Sequence, residues 1–272
     1  VDLGFKPTKR TWGAEVFPGS ALPNAMVQVS PVTKFHSGAG YQYEDSVIYG
    51  FTHTNKGHWN LCHIPLLPVT GTPTPGDYCS PFSHERESAA PGYYQVFLDR
   101  YGVDAQLSST LRCAFHKYTY PAGAAPAVLA DLQRSNEHVR AWDIRKEGDN
   151  VVAADREVRI VRFGEGDGAL ELRIGFSFVS EKNARENLEA EMLGKSFAEV
   201  RSEATATWND LLGRIRVEGG TEREKGLFYS SLYRSFHWPA LRSDVNGEFT
   251  DVDGTVINPG FRYYTGPSYW DD

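Results

Sequence analysis

The chain is poor in features that mark several protein classes. Its 272 residues hold three cysteines, Cys62, Cys79 and Cys113, with no Cys-x-x-Cys spacing. That excludes a disulfide-dense scaffold and a zinc ribbon, and leaves room for one internal disulfide at most. No run approaches the ~18–20 consecutive apolar residues of a membrane span. The opening Val1-Asp2-Leu3-Gly4-Phe5-Lys6 lacks a signal peptide's apolar core, so the chain is either cytoplasmic or relieved of a signal. Cations are outnumbered, 28 Lys and Arg against 35 Asp and Glu, for a formal net charge of -7. A phosphate backbone is therefore not the expected partner, and nucleic acid drops out. Neither an internal repeat nor a low-complexity tract is present.

What the chain does contain, 40% hydrophobic and 13% aromatic residues, suffices for a large core. Ala169 to Val179 alternates Leu170, Leu172, Ile174, Phe176 and Phe178 against Glu171, Arg173, Gly175 and Ser177, the period of a strand with one buried face. Shorter runs of this kind occupy Met26 to Val32, Val47 to Phe51, Ile64 to Val69, Tyr93 to Leu98, Val103 to Leu107, Leu111 to Tyr118, Ala127 to Leu132, His138 to Ile144 and Val158 to Phe163. So many strands without intervening helices predict an antiparallel β-sandwich over residues 1–180.

Near Ser180 the period changes. Phe197, Val200, Ala204, Trp208, Leu211 and Ile215 recur at helical steps behind a Ser196-Phe-Ala-Glu199 capping box. A second box, Thr221-Glu-Arg-Glu224, opens a helix with the stripe Leu227, Phe228, Leu232 and Phe236, stopped by Pro239. The chain thus divides into a mainly β domain (1–180), a helical linker (181–220) and the start of a further helical domain (221–272).

Four segments carry more chemistry than connectors usually do. Gly13-Ala-Glu-Val-Phe17-Pro18-Gly19 is a turn presenting Phe17. Gly50 to His63 crowds His53, Asn55, Lys56, His58, Trp59 and Asn60 onto one loop, a donor density suited to polar sugar recognition. The five-residue spacing of His53, His58 and His63 matches neither the helical nor the strand spacing that converges imidazoles on a metal. Ser80-Pro-Phe-Ser83-His84-Glu85 is expected to buttress that loop through a His84–Glu85 hydrogen bond. Tyr263 to Asp272 ends in Trp270-Asp271, an aromatic face beside a carboxylate, which suits the apolar face and hydroxyl rim of a pyranose.

These residues carry a family resemblance. Phe17-Pro18-Gly19, Met26-Val-Gln-Val-Ser-Pro31, Gly40-Tyr41-Gln-Tyr43, Gly50-Phe51-Thr-His53-Thr, Ser80-Pro-Phe-Ser-His84-Glu85, Pro91-Gly92-Tyr93-Tyr94, Phe176-Ser-Phe-Val-Ser180, Asn187-Leu-Glu-Ala190, Trp208-Asn209 and Trp270-Asp271 stand in one order. Together they resemble glycoside hydrolase family 92, the calcium-dependent exo-α-mannosidases, nearly end to end. The resemblance implies a sandwich packed on an (α/α)6 barrel, mannose-containing glycans as partners, inversion at the anomeric carbon, and calcium gripping the mannose 2- and 3-hydroxyls. It implies a secreted, periplasmic or cell-surface protein. It also implies that the general acid, the base and the calcium ligands lie beyond residue 272, on the protein's own C-terminal catalytic domain, so that residues 1–272 alone are inactive. By position Trp270 and Asp271 match the element contacting the terminal mannose, and Phe17 and Trp59 line the pocket from the sandwich.

Two departures matter. Asp272 follows the Trp-Asp pair where the family has Thr, and Asn55-Lys56-Gly57-His58-Trp59-Asn60 replaces a Ser/Gly/Thr-rich stretch. Trp59 fits a second mannose in an α-mannoside, α-1,2-linked ones foremost, whereas Lys56 and His58 fit the phosphate of a mannose-1-phosphodiester. Two further alternatives are a sugar-binding β-sandwich module without catalysis, and another sandwich-plus-barrel hydrolase or phosphorylase with no need of calcium.

Overall fold

The computed structural model describes residues 17–56, 59–74, 76–132, 134–136, 144–147, 150–153, 158–163 and 168–266. Among these, eleven strands form two antiparallel sheets: β1 (Ser20–Ala21), β2 (Gln28–Val32), β3 (Gly50–Thr52), β4 (Leu66–Val69), β5 (Glu87–Ala90), β6 (Tyr93–Leu98), β7 (Val103–Ser109), β8 (Cys113–Thr119), β9 (Ala127–Asp131), β10 (Val158–Arg162) and β11 (Ala169–Gly175). One sheet runs β1-β2-β3-β4-β9-β10 and the other β11-β8-β7-β6-β5. Alternation sets the facing: in β7, Val103, Ala105 and Leu107 point into the core while Asp104 and Gln106 point out. Between the sheets lie Val29, Phe51, Leu67, Tyr94, Val96, Leu98, Tyr118 and Leu129, each fully or almost fully buried. A buried side chain of this size contributes roughly 1.5–3 kcal/mol. The antiparallel β-sandwich expected from the alternation is therefore the observed architecture.

Three helices follow, α1 (Glu181–Met192), α2 (Phe197–Leu212) and α3 (Glu222–Ser235). Both capping boxes form: Glu199 N–H donates to Ser196 Oγ while Ser196 N–H donates to Glu199 Oε2, and Thr221 pairs with Glu224 in the same way. α2 lies on the outer face of the five-stranded sheet, where Phe197 and Val200 join Tyr93, Cys113, Phe115 and Met192. Trp208 Nε1 donates to the Ala21 carbonyl at 2.8 Å, fastening the far end of α2 to β1.

Two sequence expectations shift. The strand expected to reach Val179 ends at Gly175, because α1 crosses there: a Cβ on Gly175 would lie 2.3 Å from the Ala184 carbonyl oxygen. The expected α3 stripe is rotated. Tyr233 packs face-tilted on Trp208 with ring centroids 4.5 Å apart and is fully buried, Leu232 and Phe236 flank it, and Leu227 and Phe228 are exposed. A helical period leaves neighbouring stripes available, and contact with Trp208 selects the one that includes Tyr233.

Beyond α3 the chain turns to short extended pairs, Ala240–Leu241 with Tyr264–Thr265 and Phe249–Thr250 with Val256–Ile257. Arg112, in the turn between β7 and β8, binds this region to the sandwich. It donates through Nε to the Ser243 carbonyl at 2.9 Å and through Nη1 to Glu191 Oε1 at 2.7 Å, while its backbone N–H meets Glu191 Oε2 at 2.9 Å. Arg112→Ala would strand a largely buried Glu191 carboxylate and is expected to cost about 3–5 kcal/mol. Urea unfolding of the two proteins at pH 7 measures this, and a loss under about 1 kcal/mol would show that the ion pair does not join these elements.

Candidate functional site

The loop rich in donors forms a small hairpin in which Asn55–Lys56 pairs with Trp59–Asn60, Lys56 opposite Trp59. Most of its polar groups hold the loop together. Asn60 Oδ1 accepts from Thr52 Oγ1 at 3.0 Å and from Cys62 N–H at 2.7 Å, and its carbonyl accepts from Asn136 Nδ2 at 2.7 Å. His63 Nδ1 meets Thr54 Oγ1 at 3.1 Å. The result is to thrust Trp59 outward at 52% exposure. Asn55 is buried, and neither atom of its amide has a hydrogen-bond partner among the described residues.

His53 does not share that surface. It is 2% exposed, with Nε2 at 2.8 Å from Nε2 of His116, whose Nδ1 lies 2.6 Å from the Tyr118 hydroxyl. The expectation that His53 meets a sugar is thus corrected: β3 ends just before it and the carbonyl of His53 accepts from Gln28 N–H, so the ring turns into the core. Burial lowers the His53 imidazole to about 3, and burial plus the neighbouring His53 hold His116 well below its usual range. Both rings are neutral, which a single proton between two facing nitrogens requires.

The expected His84–Glu85 bond is also replaced. His84 Nδ1 meets Glu87 Oε2 at 2.6 Å, and its Nε2 meets the Tyr43 carbonyl at 2.7 Å. Glu87 further accepts from Tyr94 at 2.6 Å and from Tyr41, giving a buried carboxylate the donors it needs. Helical turn His84–Arg86 carries the chain past Glu85 and brings Glu87 back on the same side, so the segment buttresses the Gly40–Tyr43 turn.

A second concentration of polar atoms lies where the sandwich meets α3. Phe17 is buried edge-on against the His237 ring at 4.9 Å, and Trp208 and Tyr233 stand 5.7 and 4.5 Å from the same ring. Asn24 N–H donates to the Phe236 carbonyl at 2.6 Å and Gln28 Nε2 to the His237 carbonyl at 3.3 Å, closing the seam. Gly19 permits the approach, since a Cβ there would lie 1.7 Å from the Val29 carbonyl oxygen. Gln28 Oε1, the Tyr233 hydroxyl, both His237 ring nitrogens and Trp238 Nε1 are buried without a hydrogen-bond partner among the described residues. Burial, with a smaller effect of the Arg234 charge, lowers His237 to about 3, so it is a neutral ring able to donate and accept. Such a set of mixed donors and acceptors matches a hydroxylated ligand.

Of the residues singled out from sequence, Phe17 belongs to this seam and Trp59 and Asn55 to the hairpin. His58, Trp270 and Asp271 lie outside the described residues. Gln28, Tyr233, His237 and Trp238 were not anticipated. The signal was present in His237-Trp238 directly before Pro239, an imidazole and an indole at a helix end, but nothing local shows that they face Phe17. Among the described residues no three His, Cys, Asp or Glu side chains gather as a metal site, and no helix is long and apolar enough to cross a membrane. Cys62, Cys79 and Cys113 are unpaired thiols.

Comparison with known proteins gives two family matches, the glycosyl hydrolase family 92 N-terminal domain over residues 7–177 and its catalytic domain over residues 183–272. The fold superposes on the family 92 glycosyl hydrolase ccman5 with a TM-score of 0.87 at 27% identity, over 99% of this chain and 45% of that one. It superposes on the inverting family 92 mannosidase BT2199 of Bacteroides thetaiotaomicron VPI-5482 with a TM-score of 0.75 at 23% identity, over 97% and 42%. An uncharacterized secreted glycosidase of Arthroderma benhamiae is 23% identical over 87% of this chain and 41% of its own length. The chain thus spans less than half the length of these relatives.

The buried imidazoles generate a pH dependence. An unfolded imidazole takes up a proton below about 6.5, whereas folded His53 and His237 stay neutral down to about 3. Their contribution is therefore complete above pH 6.5 and is lost as the pH falls toward 3, at about 1.4 kcal/mol per pH unit for each proton. His237→Phe is expected to flatten the slope of unfolding free energy between pH 6 and 4 by about one proton. Parallel slopes for the two proteins would show that His237 is already protonated in the fold.

Proposed function

The chain belongs to glycosyl hydrolase family 92, and on that premise we propose that the protein releases mannose from the non-reducing ends of α-mannosides, α-1,2-linked ones foremost, with inversion and with calcium required. The observation that carries the substrate reading is the exposed indole of Trp59 on a hairpin anchored through its neighbour Asn60. A flat apolar face held rigidly outward suits stacking against a second mannose, next to the bond to be cleaved. The neutral His237 and its partnerless neighbours at the seam offer both donors and acceptors to hydroxyls of a sugar. Trp270 and Asp271, by position, are proposed to contact the terminal mannose.

Inversion needs two carboxyls about 6.5–9.5 Å apart with a water between one of them and the sugar. We assign neither to a residue of this chain; both, with the calcium ligands, are proposed to lie beyond residue 272, which leaves residues 1–272 alone without turnover. Calcium, when bound, is a hard Lewis acid that grips vicinal hydroxyls. The described residues bring together no ligand set for it. The site outside the membrane that these substrates require, secreted, periplasmic or cell-surface, accords with the relative named a secreted glycosidase.

The test is hydrolysis of α-1,2-mannobiose by the full-length protein, with the anomer of the released sugar followed by proton NMR. β-Mannose is expected first, and exhaustive chelation should abolish turnover; undiminished activity in chelator would overturn the calcium requirement. On mannobiose Trp59→Ala should lower kcat/KM by roughly ten- to a hundredfold, from about 1–3 kcal/mol of lost stacking, with Lys56→Ala far milder. On a mannosyl phosphodiester the order inverts if phosphate is the true partner, since a charge-assisted hydrogen bond of ~1.5–3 kcal/mol would go with Lys56. Wild-type rates in all four measurements would make the hairpin structural.

A further inference from the structure

A groove of about 570 Å³ runs between α2 and the outer face of the five-stranded sheet, and neither the family match nor the seam accounts for it. We propose that it binds a neutral, polyhydroxylated oligosaccharide. The volume is within the ~300–1,000 Å³ of ligand sites. One wall is the helix stripe Phe197, Arg201, Thr205 and Asn209, four-residue steps that put these side chains on one face over about 18 Å. The other is a cross-strand pair, Gln106 of β7 directly opposite Lys117 of β8.

Two polar groups of this groove, Arg201 and Gln106, are held in place in advance. The Arg201 guanidinium lies 3.6 Å from the centre of the Tyr93 ring, which fixes its plane. Asp104 accepts from Gln106 Nε2 at 2.9 Å and from Gln95 Nε2 at 2.7 Å, and Tyr93 donates to Gln95 Oε1 at 2.8 Å. Gln106 is thereby oriented with its carbonyl oxygen left as an acceptor. Lys117 and Arg201 make no ion pair among the described residues, in a chain whose formal charge is -7. Their donors therefore stay available to a ligand.

The mixture decides the ligand class. A hydroxyl both donates and accepts, and the groove offers donors in Arg201 and Lys117, an acceptor in the Gln106 carbonyl oxygen, and Ser202 and Asn209, which do both. A phosphate or sulfate would meet the Gln106 carbonyl oxygen beside the two cations, whereas a sugar hydroxyl can donate to it. The class follows from the groove alone, and the choice of mannan as first probe rests on the proposed function.

Affinity electrophoresis of the protein in native gels containing α-mannan or dextran tests the site, with inorganic phosphate in parallel by calorimetry. Retardation by a neutral glycan is expected, weakened about tenfold in Arg201→Ala and in Gln106→Ala, the loss of one oriented hydrogen bond to a charged or preset partner. Near-UV circular dichroism of each variant shows whether it is folded, and two variants on opposite walls guard against one that is not. Equal retardation of wild type and both folded variants, no retardation of wild type by either glycan, or binding of phosphate alone would overturn the proposal. Retardation by mannan without any mannoside hydrolysis would sink the proposed function and leave this site standing.

Discussion

The carboxylate of Asp244 is the point on which the arrangement of sandwich and helices depends. It is 2% exposed, and a buried charge is tolerated only when its lone pairs are filled. Ser177 Oγ and Asn183 Nδ2 donate to Oδ2 at 2.6 and 2.9 Å, and Asn187 Nδ2 donates to Oδ1 at 2.7 Å. Those three donors come from the end of β11 and from one face of α1. Asn187 Oδ1 in turn accepts from Val245 N–H at 2.8 Å, and Arg112 reaches the Ser243 carbonyl from the opposite side. The segment after α3 is thus tied to the end of β11 and to α1 through one acid. Hydrophobic burial supplies the bulk of the stability, but it is non-directional and would not distinguish one docking of α1 from a neighbouring one.

Inside the sandwich the same division holds. The apolar residues would tolerate small changes of packing, whereas the His53–His116–Tyr118 chain and the Glu87 cluster demand one register. A slip of a single residue in β8 would turn His116 to the outer face and leave His53 buried without a partner. His53 follows the end of β3 and leads directly into the Asn55–Asn60 hairpin, and His84 beside Glu87 holds the Tyr43 carbonyl, so each cluster fixes the root of a surface loop. Core polarity here positions surface loops, and in the His53–His116 pair it does so with rings that burial keeps neutral across the ordinary pH range.

The two candidate contact regions differ in physical style. At the seam, polar atoms are enclosed by Phe17, Trp208 and Tyr233, an environment in which each hydrogen bond made to a ligand counts for more than in water. On the hairpin a half-exposed indole offers a flat apolar face. Three of the elements concerned, α2, α3 and β1, meet through Trp208, whose indole N–H is anchored to Ala21 while its ring backs Tyr233.

Local pattern determined much of this. Period-two alternation marked β6 at its observed ends and most other strands to within a few residues, because strands such as β7 and β11 bury one face more deeply than the other. The two capping boxes marked the starts of α2 and α3, since the box is a purely local exchange of hydrogen bonds. Order and type of short motifs were enough to indicate the family. What the sequence could not determine was which polar residues face a ligand. His53, Asn60 and His63 read as donors on an open loop, and the tertiary structure spends them on His116, Thr52 and Thr54, partners of which only one is remote in sequence. Gln28, Tyr233 and His237 read as unremarkable, and it is the docking of α3 on β1 and β2 that encloses them together. Burial and hydrogen-bond satisfaction are sums over everything that surrounds an atom, so they are decided by contacts between residues some 200 positions apart, such as Gln28 with His237, and not by the pattern of their neighbours.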